Sequence, residues 1–233
     1  MDIAAFITNA RTTSRATLDE FTGKKILSAF GVSVPKGLMV SDDSELEKAL
    51  ADLTPPFAVK AVSADIIHKS DVGAVTIGLG DKQAVGKAIA DMRSRLSGDA
   101  NIDGFIVEEM ATPGHELVLG AVQDPQFGSL VMIGLGGVFV EIFEDVAFRI
   151  FPLTRADAHD MLDDLKAAPI LAGARGGAAI NKEVLVDAIL KFGGADGLLA
   201  KHGDAFAEID INPLIVSPDA AVAVDARFVL AAT

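Results

Sequence analysis

The 233-residue chain contains no cysteine, and that absence removes disulfides, thiolate nucleophiles and cysteine-ligated zinc or iron–sulfur centres. Any chemistry must come from His, Asp, Glu, Lys or Arg side chains, or from a bound ligand. No apolar run reaches the roughly 18 to 20 residues that a membrane span requires, and the opening stretch MDIAAFITNARTTSRATLDEF has no signal-peptide core. A cytoplasmic location, with no membrane partner, is the expectation. Basic residues are scarce: 20 Lys and Arg against 33 Asp and Glu leave a formal net charge of −13. Such a surface repels nucleic acid and excludes it as a partner. It does not exclude a nucleotide, since backbone N–H groups, a lysine and Mg²⁺ can bind phosphate inside an acidic protein. Two familiar loops are also missing, GxxxxGK[ST] and GxSxG, and the four histidines lack the close spacing of a zinc site.

Half of the residues are hydrophobic, enough to fold one large domain or two small lobes around a proper core. LDEFTGKKILSAF has helical spacing and stops at Gly31, with Pro35 close behind. GLMVS predicts a short strand, and Ser41 with Glu45 predicts an N-capped helix. PFAVKAV is the next strand, AVTIGL its expected hairpin partner, and DKQAVGKAIADMRSRL a further helix. From Gly104 the texture changes to consecutive strand-like runs, a meander of mostly antiparallel character. TRADAHDMLDDLKAAPIL and NKEVLVDAILKFGGADGLLAKH then read as helices, and FAEIDINPLIVS with AAVAVDARFVL as a closing strand pair. The expectation is two α+β lobes, 20–103 and 104–233, with 1–19 packing on the second and a cleft between them. There is neither an internal repeat nor a low-complexity linker.

GLGGVFVE, residues 134 to 141, lacks the third glycine and the following helix of a dinucleotide fingerprint, although its glycines can let the backbone approach a ligand closely. EIDINP is richer in chemistry. On a strand Glu208, Asp210 and Asn212 share one face while Ile209 and Ile211 share the other, a set of hard oxygen donors suited to Mg²⁺. Asp225, on the expected partner strand, adds another; the bland alternative is a solvated edge. Lys60 interrupts an apolar strand, where an ammonium either meets an anion such as phosphate or snorkels to the surface. Glu108, Glu109 and Glu116 surround a turn and can accept ribose hydroxyls or simply decorate the surface. Arg149 and Arg175 either contact phosphate or pair with the surplus acids. His68, in IIHKSDVGAV, is on composition alone a loop histidine.

Taken in order, LDEFTGKKILSAFGVSVPKGLMV, PFAVKAVSADIIHKSDVGAVTIGL, GHELVLGAVQDPQFGSLVMIGLGGVFVEIFEDVAFRIFPL, LAGARG, EIDINPLIV and AVDAR cover nearly the whole chain. They resemble the ATP-grasp domain of the ADP-forming acyl-CoA synthetases, the β-subunit side of the acetate–CoA ligase and succinyl-CoA synthetase superfamily. One departure is Ala74, where that family more often has glycine, which bears on loop flexibility. The resemblance implies an ATP-grasp fold with ATP or ADP and Mg²⁺ between two lobes. It implies Lys60 on the nucleotide phosphates and Glu108, Glu109 and Met110 beside the adenine. Glu116 falls to the ribose, and Gly73 and Arg175 join the nucleotide-binding set. Asn212 and Asp225 become metal ligands, with Asp210 a catalytic ligand or orienter between them. His68 matches a histidine that relays a phosphoryl group, oriented by Asp65 or Asp71; a neutral imidazole suits that role near pH 7.

The implied reaction converts acid, CoA and ATP into acyl-CoA, ADP and phosphate. The CoA-binding domain and the first phosphohistidine of that chemistry are missing from these residues. The expected partner is therefore a CoA-binding α-subunit or fused domain that carries a phosphohistidine and through which CoA and a small carboxylic acid enter. A catalytically silent regulatory domain of a larger acetyltransferase-type protein is the alternative, and it would have lost Lys60, His68, Glu116, Asn212 and Asp225. A carboxylate–amine ligase of the same fold has no use for the HKSDVG loop.

Overall fold

The computed structural model describes residues 1–63, 72–96, 102–137, 144–174 and 179–232. In chain order these form α1 (Ile3–Thr12), β1 (Thr17–Leu18), α2 (Glu20–Ala29), β2 (Gly37–Val40), α3 (Asp43–Asp52), β3 (Phe57–Val62), β4 (Val75–Leu79), α4 (Lys82–Leu96) and β5 (Gly104–Glu109). There follow β6 (His115–Asp124), β7 (Gly128–Leu135), β8 (Val146–Ile150), α5 (Arg155–Asp164), α6 (Ala168–Leu171), α7 (Lys182–Gly193), α8 (Leu198–His202), β9 (Phe206–Val216), β10 (Ala221–Ala223) and β11 (Ala226–Leu230). They fall into two compact units, Pro35–Ala111, and Met1–Val34 with Thr112–Thr233.

In the smaller unit an antiparallel sheet runs in the order β2-β5-β3-β4. Strand alternation decides its core. Phe57, Val59, Ala61, Phe105 and Val107 pack with Leu46 and Ala49 of α3 and Val85, Ile89 and Met92 of α4. Ala74 belongs to the same cluster and is fully buried, so its methyl fills core where a glycine would leave a gap. The cap of α3 is Asp42 rather than Ser41: its Oδ1 accepts from the N–H groups of Ser44 and Glu45 at 2.8 and 2.9 Å. Glu45 reaches back to accept from the Ser41 N–H at 2.7 Å.

The larger unit holds a seven-stranded sheet, β1-β11-β9-β6-β7-β8, with β10 also paired to β9. One face, including Leu117, Leu119, Val131, Ile133, Ile209 and Ile211, is covered by apolar residues of the helices, among them Ile7, Leu27, Met161, Leu185 and Phe192. Helix α5 begins at a reciprocal capping box of Thr154 and Asp157. The helix expected to continue through residue 171 stops at Asp164, because the buried Asp145 carboxylate accepts from the N–H groups of Lys166 and Ala167 at 2.7 and 2.8 Å and turns the chain. The next expected helix also breaks, after Gly193. A Cβ on Gly194 would stand 2.5 Å from the Leu190 carbonyl oxygen, and one on Gly197 2.7 Å from it, so this turn requires glycine.

The unit boundaries differ from the lobes expected from sequence. Helix α2 belongs to the larger unit, because Ile26 and Leu27 join its core and Gly23 abuts Phe228. Strand β5 belongs to the smaller sheet, between β2 and β3. The strand-rich texture that starts at Gly104 thus spans two sheets, and texture alone does not say which sheet a strand joins. No helix among the described residues is long and apolar enough to cross a membrane.

Candidate functional site

In the smaller unit the chemistry centres on Lys60. Its ammonium lies 2.8 Å from Glu108 Oε1, with only 5% and 2% of the two side chains exposed. Cross-strand register explains the meeting: Ala58 is the partner of Glu108, so Lys60 stands diagonally two residues along on the neighbouring strand. The lysine therefore neither snorkels nor lacks an anion. Glu109 is tethered elsewhere, its Oε1 accepting from the Thr54 N–H at 2.8 Å. The N–H groups of Glu109 and Met110 are donated to the Lys36 and Pro56 carbonyls. What this segment presents outward is the exposed Met110 side chain, whose sulfur accepts from the Gly78 N–H.

Gly73 has a structural reason of its own. Its φ is +66°, and a Cβ there would stand 2.0 Å from Arg95 Nη1, which donates to the Gly73 carbonyl. The left-handed backbone favours glycine here, while the guanidinium end could swing aside for a methyl.

In the larger unit the alternation of EIDINP holds: Ile209 and Ile211 are buried, while Glu208 and Asp210 are half-buried and Asn212 exposed on the opposite face. Burial pushes the Asp210 carboxyl up to about 6, helped by the charge of Glu208 and less by Asp225, against the pull of Arg227. Arg227 is the register partner of Asp210, yet its Nη1 lies 3.6 Å from Glu208. Asp225 precedes Ala226, whose partner is Ile211, and so it falls alongside Asn212. Its Oδ1 accepts from the Ala226 N–H at 2.7 Å. Gly120 is the register partner of Asp210, and a Cβ there would stand 3.1 Å from the Ile209 carbonyl oxygen.

Strand alternation puts Glu116 on this same non-core face. The glycine-rich stretch after β7 packs on it: the Gly136 N–H donates to the Glu116 carbonyl at 2.7 Å, and a Cβ on Gly136 would stand 2.9 Å from that oxygen. Gly136 thus serves close backbone approach to Glu116, while Gly134 lies against Val146 and the Asp145 carbonyl.

This donor set fits Mg²⁺. Asp225, Asn212 and Asp210 offer hard oxygens, and Asp210, raised first by burial and then by the charge of Glu208, is a carboxylate whose charged form a nearby cation would favour. Among the described residues no three His, Asp or Glu side chains converge to hold an ion unaided.

One unit therefore collects Glu116, Asp210, Asn212 and Asp225 on one sheet face, and the other collects Lys60, Gly73 and Glu108 to Met110. Arg149 is not part of either set; it pairs with Asp164 at 2.6 Å. His68 and Arg175, with Asp65 and Asp71, lie outside the described residues. Gly120 and Arg227 escaped the sequence reading, because only the strand register brings them to Asp210.

Residues 9–230 match one family profile, described as an ATP-grasp domain. The β subunit of acetate–CoA ligase [ADP-forming] I from Pyrococcus furiosus is 41% identical over 216 residues, covering 91% of each chain. Acetate–CoA ligase [ADP-forming] I from Archaeoglobus fulgidus is 37% identical, and there the match covers 89% of this chain but 30% of that one. Among solved structures, the dinucleotide-forming acetyl-coenzyme A synthetase 1 of Ca. Korarchaeum cryptofilum, in complex with coenzyme A, Ca-AMPCP and HgCl⁺, superposes with a TM-score of 0.91 at 36% identity, covering 97% and 99% of the two chains. The same protein with coenzyme A and Mg-AMPPCP, its phosphohistidine segment pointing towards the nucleotide binding site, gives 0.82 at 35% identity and the same coverage.

Proposed function

The chain belongs to the ATP-grasp family, together with the β subunits of ADP-forming acetate–CoA ligases, and we propose that it is the nucleotide-binding part of an acid–CoA ligase. The reaction joins a small carboxylic acid to CoA as ATP becomes ADP and phosphate. Its fold is the ATP-grasp fold, and ATP or ADP with Mg²⁺ are its cofactors. A partner subunit or fused domain completes the enzyme, binding CoA and the acid and carrying a phosphohistidine. The observation that carries the assignment of the site is the oxygen-rich face of Asp210, Asn212 and Asp225, with Asp210 raised chiefly by burial and further by Glu208 and Asp225.

In this reading Lys60 binds the nucleotide phosphates and Glu108 fixes its ammonium. Preorganised charge of this kind stabilises phosphoryl transfer without reorganisation at the moment of reaction. Met110 packs against the adenine, and Glu109 secures the segment through Thr54. Glu116 accepts the ribose hydroxyls. Asn212 and Asp225 hold the ion, and Asp210 orients it. Bound Mg²⁺ neutralises phosphate charge and aligns the transferring group. Gly73 shapes the entry to β4, and Arg175 contacts phosphate. His68 relays the phosphoryl group: its nitrogen takes the γ-phosphoryl from ATP as the P–O bond to ADP breaks, and the partner's histidine nitrogen then takes it, one P–N bond forming as the P–N bond to His68 breaks. The silent alternative is not favoured, because its expected losses at Lys60, His68, Glu116, Asn212 and Asp225 have not occurred.

Reconstitution with the CoA-binding partner tests the proposal. Acyl-CoA formation from a panel of short carboxylic acids should release ADP and phosphate in equal amounts. Release of AMP and pyrophosphate, or acyl-CoA formation without nucleotide turnover, contradicts it.

A further inference from the structure

Helix α2 carries a charged pair that the nucleotide reading leaves unused. The Glu20 carboxylate and the Lys24 ammonium, one turn apart, lie 2.7 Å from each other with 2% and 5% of their side chains exposed. Taking two charges out of water costs several kcal/mol per ion, and an apolar pair would hold the helix to the sheet at least as well. The location of the pair supplies the missing reason. Helix α2 lies so close to β11 that a Cβ on Gly23 would stand 2.8 Å from the Phe228 ring and 3.4 Å from the Ala226 carbonyl oxygen. That seat lets Lys24 Nζ donate to the Val224 carbonyl at 3.4 Å. The Val224 N–H in turn donates to the Pro213 carbonyl at 3.0 Å. Val224 is thus held from two sides, by the residue after Asn212 and by Lys24, immediately before Asp225.

We propose that the buried Glu20–Lys24 pair is a positioning device that anchors Val224 and so sets Asp225 beside Asn212. This rests on the assignment of Asn212 and Asp225 as Mg²⁺ ligands. Glu20 neutralises and aims the ammonium, Lys24 fixes the carbonyl, and the carboxylate that follows need not be ordered when the ion arrives. Groups that orient ligands from behind in this way typically change metal affinity by about 10- to 100-fold when removed.

The full chain is titrated with ADP by calorimetry at a series of Mg²⁺ concentrations, and Val224 amide exchange is followed by NMR without metal. In Glu20→Gln/Lys24→Met the Mg²⁺ needed for half-maximal ADP binding should rise about tenfold or more. Metal-free ADP affinity should stay unchanged while the Val224 amide exchanges faster. Lys24→Arg, which keeps charge and donor, should remain close to wild type. Should the double variant fail to fold, Glu20→Gln alone applies the milder form of the same test. A wild-type Mg²⁺ requirement with wild-type Val224 exchange overturns the proposal, as does an equal loss of metal-free and metal-dependent ADP binding. If the unmutated chain binds ADP with no Mg²⁺ dependence, the ligand assignment itself fails. Val224 exchange then decides the tether by itself, unchanged exchange overturning it.

Discussion

The Lys60 ammonium sits 2.8 Å from the Glu108 carboxylate, with both side chains almost wholly withdrawn from solvent. Changing either residue alone removes one half of a buried ion pair. Glu108→Gln should therefore destabilise the fold by about 3–5 kcal/mol, read as a lower urea midpoint. The double change Lys60→Met/Glu108→Gln should recover most of that loss while Mg·ADP binding stays impaired. Recovery of binding together with stability would assign the pair to folding alone.

Gly73→Ala should cost about 1–2 kcal/mol from its left-handed backbone, with the Arg95 guanidinium displaced to make room for the methyl. Thermal melting should show a loss that Arg95→Ala relieves only in part, since the backbone cost remains.

The capping box of α5 gives a pH-dependent prediction. The Thr154 hydroxyl and N–H hold the Asp157 carboxyl below its ordinary value of 3.8. A carboxyl lowered in the folded chain stabilises it above the unfolded value, and the contribution fades as pH falls through the lowered one. Thr154→Ala should cost ~1 kcal/mol near neutral pH, and part of that difference should vanish in acid. Denaturant titrations of both proteins across the acid range measure it.

His68→Ala should abolish acyl-CoA formation in the reconstituted enzyme with little effect on Mg·ADP affinity. Full activity in that variant would remove the relay role from His68.

Much of this was legible in the residues. The alternation in EIDINP placed Glu208, Asp210 and Asn212 opposite Ile209 and Ile211, and the expected partner strand pairs with β9 but breaks at Val224 and Asp225 into β10 and β11. Lys60 stood out as a charge in an apolar strand, but its partner did not, because the meeting with Glu108 depends on the register between β3 and β5. The same limit hid Gly120 and Arg227 from view. Gly73 carried a backbone demand, its left-handed φ of +66°, that no local motif announces. Ala74 looked like a matter of loop flexibility and proved to be core. Periodicity overran two helix ends, at Asp164 and Gly193, because the turns there are made by Asp145 and by close glycine packing rather than by any break in the apolar pattern.

The central claim is that the face of Asp210, Asn212 and Asp225 binds a Mg²⁺–nucleotide complex. The most direct measurement is calorimetric titration of the full chain with Mg·ADP, in the presence and absence of EDTA, for wild type and Asp225→Ala. Wild type should bind with a dissociation constant in the range of about 1 µM to 1 mM, and EDTA should weaken it sharply. Asp225→Ala should lose about tenfold or more of the Mg²⁺-dependent affinity while melting like wild type. No binding by wild type, or binding indifferent to both EDTA and Asp225→Ala, would contradict the claim.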